Sequence, residues 1–157
     1  MDYGIVVAII GAALAALLAG IGSAIGVATA GKASTGVLSE KPDLFGKLLI
    51  LQALPGTQGI YGFLVAVLVI SKIGLLDAAP VTLTPEQGFA FLGACLPIAF
   101  VGLGSGIYQG KIAASSIVMT GKNPSLQMRG VTMTAMVETY AILALLASIL
   151  LYTAIQV

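Results

Sequence analysis

Four long stretches almost free of charge make up most of this chain, and nothing else in it constrains the fold as strongly. The first runs from about Tyr3 to Leu38, with no charged residue until Lys32. The second runs from about Leu44 to Ile73 and is uncharged from Leu48 to Ser71. The third begins near Pro85-Glu86, a favourable first-turn pair for a helix, and continues to about Thr120. The fourth runs from about Ser125 to Ala154. About 20 apolar residues cross a bilayer core as a helix, so each stretch predicts a membrane helix, tilted or projecting into water at its ends. Ser39-Glu40-Lys41-Pro42-Asp43 and Gly121-Lys122-Asn123-Pro124 read as short turns, and a longer connector from Gly74 to Thr84 carries Asp77 and Pro80. The fold class is therefore an all-α membrane protein of four long helices.

Composition agrees with a chain made for lipid. Hydrophobic residues make up 59% and charged residues 8%, whereas a soluble domain carries about 25% charged residues. A net charge of +1 without a long basic run gives no reason to expect nucleic acid as a partner. There is no histidine, and Cys95 is the single cysteine, which excludes an internal disulfide and the usual Cys/His zinc sites. Cys95 reads as a small packing residue. The N-terminal flank Met1-Asp2-Tyr3 is acidic, and the uncharged run to Gly31 is too long for a removable signal, so a retained membrane helix is expected. Lys32, Lys41, Lys47, Lys111, Lys122 and Arg129 fall near the two short turns, with Lys72 alone at the opposite end. The positive-inside rule then puts the turns near 39–43 and 121–124 in the cytoplasm and both termini outside the cell membrane.

The chain repeats itself. Gly20-Ile21-Gly22-Ser23 matches Gly102-Leu103-Gly104-Ser105 at an offset of 82, and the same offset pairs Gly11-Ala12 with Gly93-Ala94, Ile25 with Ile107, Pro42 with Pro124, Leu44 with Leu126 and Thr57 with Thr139. Two tandem helical hairpins, residues 1–75 and 84–157, are expected within one membrane domain of 1–157. Each contains two helices, so both enter the membrane in the same direction as a parallel repeat. The first helix of each hairpin is rich in small residues, such as Gly11, Ala15, Ala19, Gly22, Gly26 and Ala30. Small residues let membrane helices approach closely, within an ordinary bundle or within a narrow circle of helices from many subunits. The Gly-x-Gly pattern follows no strand and so does not predict a nucleotide site.

Between Gly130 and Val157 the only charged residue is Glu138. A charge at the centre of a membrane helix costs at least about 2.5–3.5 kcal/mol, which makes Glu138 a functional candidate by default. Its repeat counterpart is Gly56, so the two hairpins share one carboxylate. Around Gly56, the residues Leu54, Thr57, Gln58 and Tyr61 lie at helical spacing on one face, and three of them bring side-chain oxygen. Pro55 removes a helical hydrogen bond and Gly56 eases the resulting distortion. Glu138 and Gln58 lie roughly 13–17 Å beyond Arg129 and Lys47 at 1.5 Å per residue, which puts both near mid-membrane. Gln109 adds an amide but sits close to Lys111. It reaches the depth of Glu138 only if the third helix is displaced outwards. One carboxylate, two amides and a hydroxyl suit a hard monovalent cation such as Na⁺, a protonated Glu138 is the simpler alternative, and interhelical hydrogen bonding is the structural one.

Three motifs carry a family resemblance over essentially the whole chain: the duplicated Gly-x-Gly-Ser helix, Leu54-Pro55-Gly56-Thr57-Gln58-Gly59-Ile60-Tyr61-Gly62, and Met136-Val137-Glu138-Thr139-Tyr140-Ala141. The chain resembles the four-helix proteolipid, or K subunit, of the membrane rotor ring of V-type and A/V-type ATPases and ATP synthases, in particular its bacterial sodium-translocating branch. That resemblance implies a Na⁺ site made of the Leu54 carbonyl, Thr57, Gln58, Gln109 and Glu138, with Tyr61 hydrogen-bonded to the carboxylate and Pro55 and Gly56 in support. It implies identical subunits in a homo-oligomeric ring surrounded by lipid, a stator membrane subunit bearing an arginine, and a central-stalk subunit at the cytoplasmic turns. It further implies no organic cofactor and no catalysis by this chain itself, with H⁺ as the alternative cargo. Outside the resemblance, a single membrane glutamate also suits a small proton-coupled antiporter, and small-residue stripes suit a structural pore. An antiporter would more naturally line a cavity with aromatic residues, where these segments carry glycine and alanine.

Overall fold

In a computed structural model, which describes residues 2–76 and 81–157, the chain is a bundle of long helices. Asp77 and Pro80 of the connector lie outside the described residues. Helix α1 spans Tyr3–Leu38. The second membrane crossing is made of α2, Phe45–Ala53, and α3, Thr57–Lys72, joined by a 3₁₀ turn over Leu54–Gly56. Helix α4 spans Pro85–Lys122 and α5 spans Gln127–Ala154. No strand occurs among the described residues.

Local chemistry sets the boundaries. Helix α4 starts with a capping box, in which the Gln87 amide donates to Thr84 Oγ1 and the Thr84 amide donates to Gln87 Oε1. Helix α3 ends at Gly74, whose φ of 64° is the left-handed conformation that glycine adopts without a Cβ penalty. The Leu75 amide then reaches back to the Ile70 carbonyl at 3.2 Å. The 3₁₀ turn falls on Pro55, as a missing amide hydrogen requires.

Helices α1 and α4, the first of each hairpin, form the tight central pair, with α3 packed mainly on α1, α2 against both, and α5 on α4. Missing side chains permit that approach. A Cβ on Gly106 would lie 2.6 Å from the Gly22 carbonyl carbon, and one on Gly22 would lie 2.7 Å from Leu103 Cα. The apolar core lies on either side of this seam. Phe91, Cys95, Ile98, Val65, Val69 and Ile73 are buried towards one end, and Leu48, Leu51, Ala113 and Ile117 towards the other. Cys95 is a buried packing residue.

The two short turns lie together, with Lys41 Nζ donating to the Gly121 carbonyl at 2.6 Å and Gln127 Nε2 to the Lys47 carbonyl at 3.3 Å. The two hairpins are therefore parallel to one another. At the opposite end Lys72 Nζ donates to the carbonyls of Tyr152 and Ile155 at 3.1 and 2.6 Å and sits 4.6 Å from the centroid of the Tyr152 ring. The basic residue remote from the turns thus closes the C-terminal end of α5, where carbonyls lack helical partners.

A candidate ion site between the two hairpins

Glu138 faces the broken second crossing. Tyr61 Oη donates to Glu138 Oε1 at 2.7 Å, and Gln109 Nε2 donates to Oε2 at 3.4 Å. Both donors are neutral, so they hold the carboxylate in place without cancelling its charge. Gln58 is fully buried, as is Gln109, and the Gln58 Nε2 donates to Gln109 Oε1. Thr57 Oγ1 stands 3.1 Å from the Leu54 carbonyl oxygen and 3.4 Å from Gln58 Oε1. Leu54, Thr57, Gln58, Tyr61, Gln109 and Glu138 thus form one continuous polar cluster between the helices. It draws α3 from the first hairpin together with α4 and α5 from the second.

Pro55 and Gly56 serve this arrangement through the backbone. Pro55 is buried, and the 3₁₀ turn that it starts directs the Leu54 carbonyl to the Thr57 amide and hydroxyl. Irregular backbone at membrane depth persists where protein covers it. Gly56 leaves open space, since a Cβ there would meet only Val27 Cγ2, at 3.7 Å. Val27 is the repeat counterpart of Gln109 as Gly56 is of Glu138. The first hairpin therefore has a neutral glycine and valine where the second has its carboxylate and amide.

Gln109 stands level with Glu138, since the turn between α4 and α5 falls midway between the two in sequence. Lys111, two residues further along α4, stands at nearly the same level. It stands next to Gly110, which packs on Gly26, and its ammonium sits 4.8 Å from the centroid of the exposed Tyr108 ring. Lys111 is therefore a poor marker of the membrane face, and the charge bias towards the turns rests on the other five basic residues.

Three further residues complete the cluster. Ser105 Oγ accepts from Gln58 Nε2 at 3.1 Å and donates to the Val137 carbonyl at 3.0 Å. The Thr134 carbonyl accepts from Gln109 Nε2 at 3.1 Å. Ser23 Oγ accepts from the Gly59 amide at 2.7 Å. Ser23 and Ser105 are the serines of the repeated Gly-x-Gly-Ser motif. As a sequence, that motif signals duplication and close packing, and it carries no sign of the polar use of its serine.

Comparisons with known proteins agree with this architecture. The family model for the ATP synthase C subunit matches residues 10–69 and again residues 92–151, the two matches standing 82 positions apart. The chain is 46% identical to the V-type sodium ATPase subunit K of Enterococcus hirae, over 96% of this chain and 97% of that protein. It is 38% identical to the A-type ATP synthase subunit K of Methanocaldococcus jannaschii, over 90% of this chain and 60% of that protein. It is 32% identical to the 16 kDa proteolipid of the V-type proton ATPase of Nephrops norvegicus, over 92% and 89% respectively.

Proposed function

The chain belongs to the ATP synthase C-subunit family and is a multi-pass membrane proteolipid of a rotary ATPase rotor, not itself catalytic, and from that premise we propose that its cargo is Na⁺, one ion per subunit. The ligands are the Leu54 carbonyl, Thr57 Oγ1, Gln58 Oε1, Gln109 Oε1 and the Glu138 carboxylate, with Tyr61 holding the carboxylate. The observation that carries this reading is the cluster itself. A hard cation of calcium-like radius holds oxygens at about 2.3–2.6 Å, which sets neighbouring ligands about 3.3–3.7 Å apart at right angles. The spacings of 3.1 and 3.4 Å among Leu54, Thr57 and Gln58 are close to that. A proton carrier needs Glu138 alone, whereas Na⁺ gives the two buried amides and the hydroxyl a role beyond their hydrogen bonds to one another and to the helices. The name of the Enterococcus hirae relative, a sodium ATPase subunit, points the same way.

Mechanism follows from charge. One Na⁺ neutralises Glu138, and the filled site can face lipid at little cost, whereas an empty carboxylate cannot. Rotation past lipid is thereby restricted to loaded subunits. Beside an arginine of the stator the carboxylate gives up its ion and then takes another from the opposite access path. The turns at 39–43 and 121–124 face the cytoplasm and meet a central stalk, with both termini outside.

Assembly into a ring of identical copies finds support in the repeat. Val101, Gly104, Ser105, Tyr108, Val137 and Tyr140 line a groove on the second hairpin. Their counterparts at the offset of 82 are Ala19, Gly22, Ser23, Gly26, Pro55 and Gln58, all buried within the chain. Several of these meet Gly102, Leu103, Gly106 and Gln109. The groove is thus the free copy of a surface that the first hairpin buries against the second. By the same offset its occupant is Gly20, Ile21 and Ala24 of the next copy, with Ile21 and Ala24 exposed on α1 and Gly20 half-buried. Head-to-tail contacts of this kind close into a ring when the rotation allows. The joint between copies then carries Val27 and Gly56 where the internal joint carries Gln109 and Glu138, so it holds no carboxylate.

Modification of Glu138 by a carbodiimide tests the cargo. Na⁺ at neutral pH should protect Glu138, and Thr57→Ala or Gln109→Ala should raise the protecting concentration about fivefold or more, in keeping with about 1–3 kcal/mol for a lost polar partner. Labelling that ignores Na⁺ and follows pH alone assigns the cargo as H⁺.

A further inference from the structure

Hydrogen-bond polarity through the cluster runs in one direction, and two backbone carbonyls set it. A carbonyl oxygen can only accept, a hydroxyl has one proton to give, and a carboxamide donates at nitrogen and accepts at oxygen. The Val137 carbonyl takes the proton of Ser105 Oγ, so towards Gln58 that hydroxyl can only accept. Gln58 must therefore present its Nε2 to Ser105, which turns its Oε1 to Thr57. The Thr134 carbonyl in the same way takes Nε2 of Gln109, which leaves Gln109 Oε1 towards Gln58. Reversing Gln58 would set its oxygen against Gln109 Oε1 and take the Ser105 proton from Val137. Reversing Gln109 would set its oxygen against the Thr134 carbonyl.

We infer that Ser105 is a positioning residue for cation selectivity, one that touches no ion but fixes the Gln58 carboxamide with oxygen rather than nitrogen towards the cargo. This rests on the sodium-carrier reading and deepens it. Val137 and Thr134 precede Glu138 on the same helix, by one residue and by one turn, so the helix that bears the carboxylate also sets the orientation of both amides. The same Ser105 hydroxyl connects that helix to the second crossing through Gln58. In the first hairpin the corresponding Ser23 serves a backbone amide instead, at Gly59, where no carboxamide needs orienting.

The test uses the assembled membrane protein and Na⁺ protection of Glu138 against carbodiimide. Ser105→Ala should raise the half-protecting Na⁺ concentration roughly tenfold, the weight of one hydrogen bond on a buried amide, while the pH midpoint of labelling without Na⁺ stays as in the parent. Added to Gln58→Ala, the same substitution should change nothing further, because its effect passes through Gln58. Ser105→Thr, which keeps the hydroxyl, should retain parental protection, and it decides the matter if the alanine variant fails to assemble. Parental Na⁺ protection in Ser105→Ala, or an effect additive with Gln58→Ala, overturns the role of Ser105 and leaves the sodium assignment intact. A parent protein that Na⁺ does not protect overturns both.

Discussion

Glu138 is expensive where it sits, and its neighbours show how the cost is contained. Tyr61 and Gln109 each give it a hydrogen bond, and Thr57, Gln58 and the Leu54 carbonyl extend the polar cluster from the other side. Removing one hydroxyl separates orientation from coordination. In Tyr61→Phe the bond of 2.7 Å to Oε1 is lost while every proposed ligand remains. A hydrogen bond to a charged group is worth about 1.5–3 kcal/mol, so the Na⁺ concentration that half-protects Glu138 should rise about tenfold or more. That change is read by the same carbodiimide titration, with ring assembly unchanged on a non-denaturing gel. Parental protection in this variant would mean that Gln109 and packing hold the carboxylate without Tyr61. The motifs 54–62 and 136–141 made most of these residues legible from the sequence. Ser105 and the Thr134 carbonyl were not, because a serine in a glycine motif and a backbone oxygen carry no signal of their own.

At the scale of helices, two departures from regularity position the site. Pro55 breaks the second crossing into α2 and α3, and glycines bring α1 and α4 nearly into backbone contact. The second can be tested directly. Gly106→Val would force a Cβ to 2.6 Å from the Gly22 carbonyl carbon, where only the backbone could yield. Overpacking of that kind costs about 1–3 kcal/mol or more, and the variant should give less oligomer than the parent on a non-denaturing gel. Gly46→Ala, with open space around its new Cβ, should keep the oligomer and gain a little helix propensity. A stable Gly106→Val oligomer would show that the seam can widen. Helix number, length and order were readable from uncharged runs and from Pro85-Glu86, since the bilayer sets a length that composition must meet. The depth of α4 was not readable, since Lys111 marks no boundary and only contacts such as Gly110 on Gly26 reveal the register.

For the whole molecule, the offset of 82 predicts how one copy meets the next. Within the chain, Gly106 packs on Gly22. Between copies, Ala24 should pack on Gly104, around which the single chain leaves open space. In a Cys95→Ser background, Ala24→Cys with Gly104→Cys should give, on mild oxidation, a ladder of covalent multimers ending at the full ring. Either cysteine alone should leave monomers. Dimers as the end point would indicate a two-fold contact instead of a head-to-tail one, and an intact oligomer without cross-links would place the joint elsewhere on the helices.

Membrane residence, four crossings, a hairpin written twice and a lone glutamate in the last uncharged run are all legible in the residues alone. Each of these follows from composition, length or repetition, which depend on no contact between distant residues. Contacts between distant residues settle the rest: that Gln109 and Lys111 stand level with Glu138, and that Ser105 and two carbonyls hydrogen-bond the amides. Those depend on the register between helices, and register is set by the glycine contacts of α1 with α4, to which the pattern of any single helix is blind.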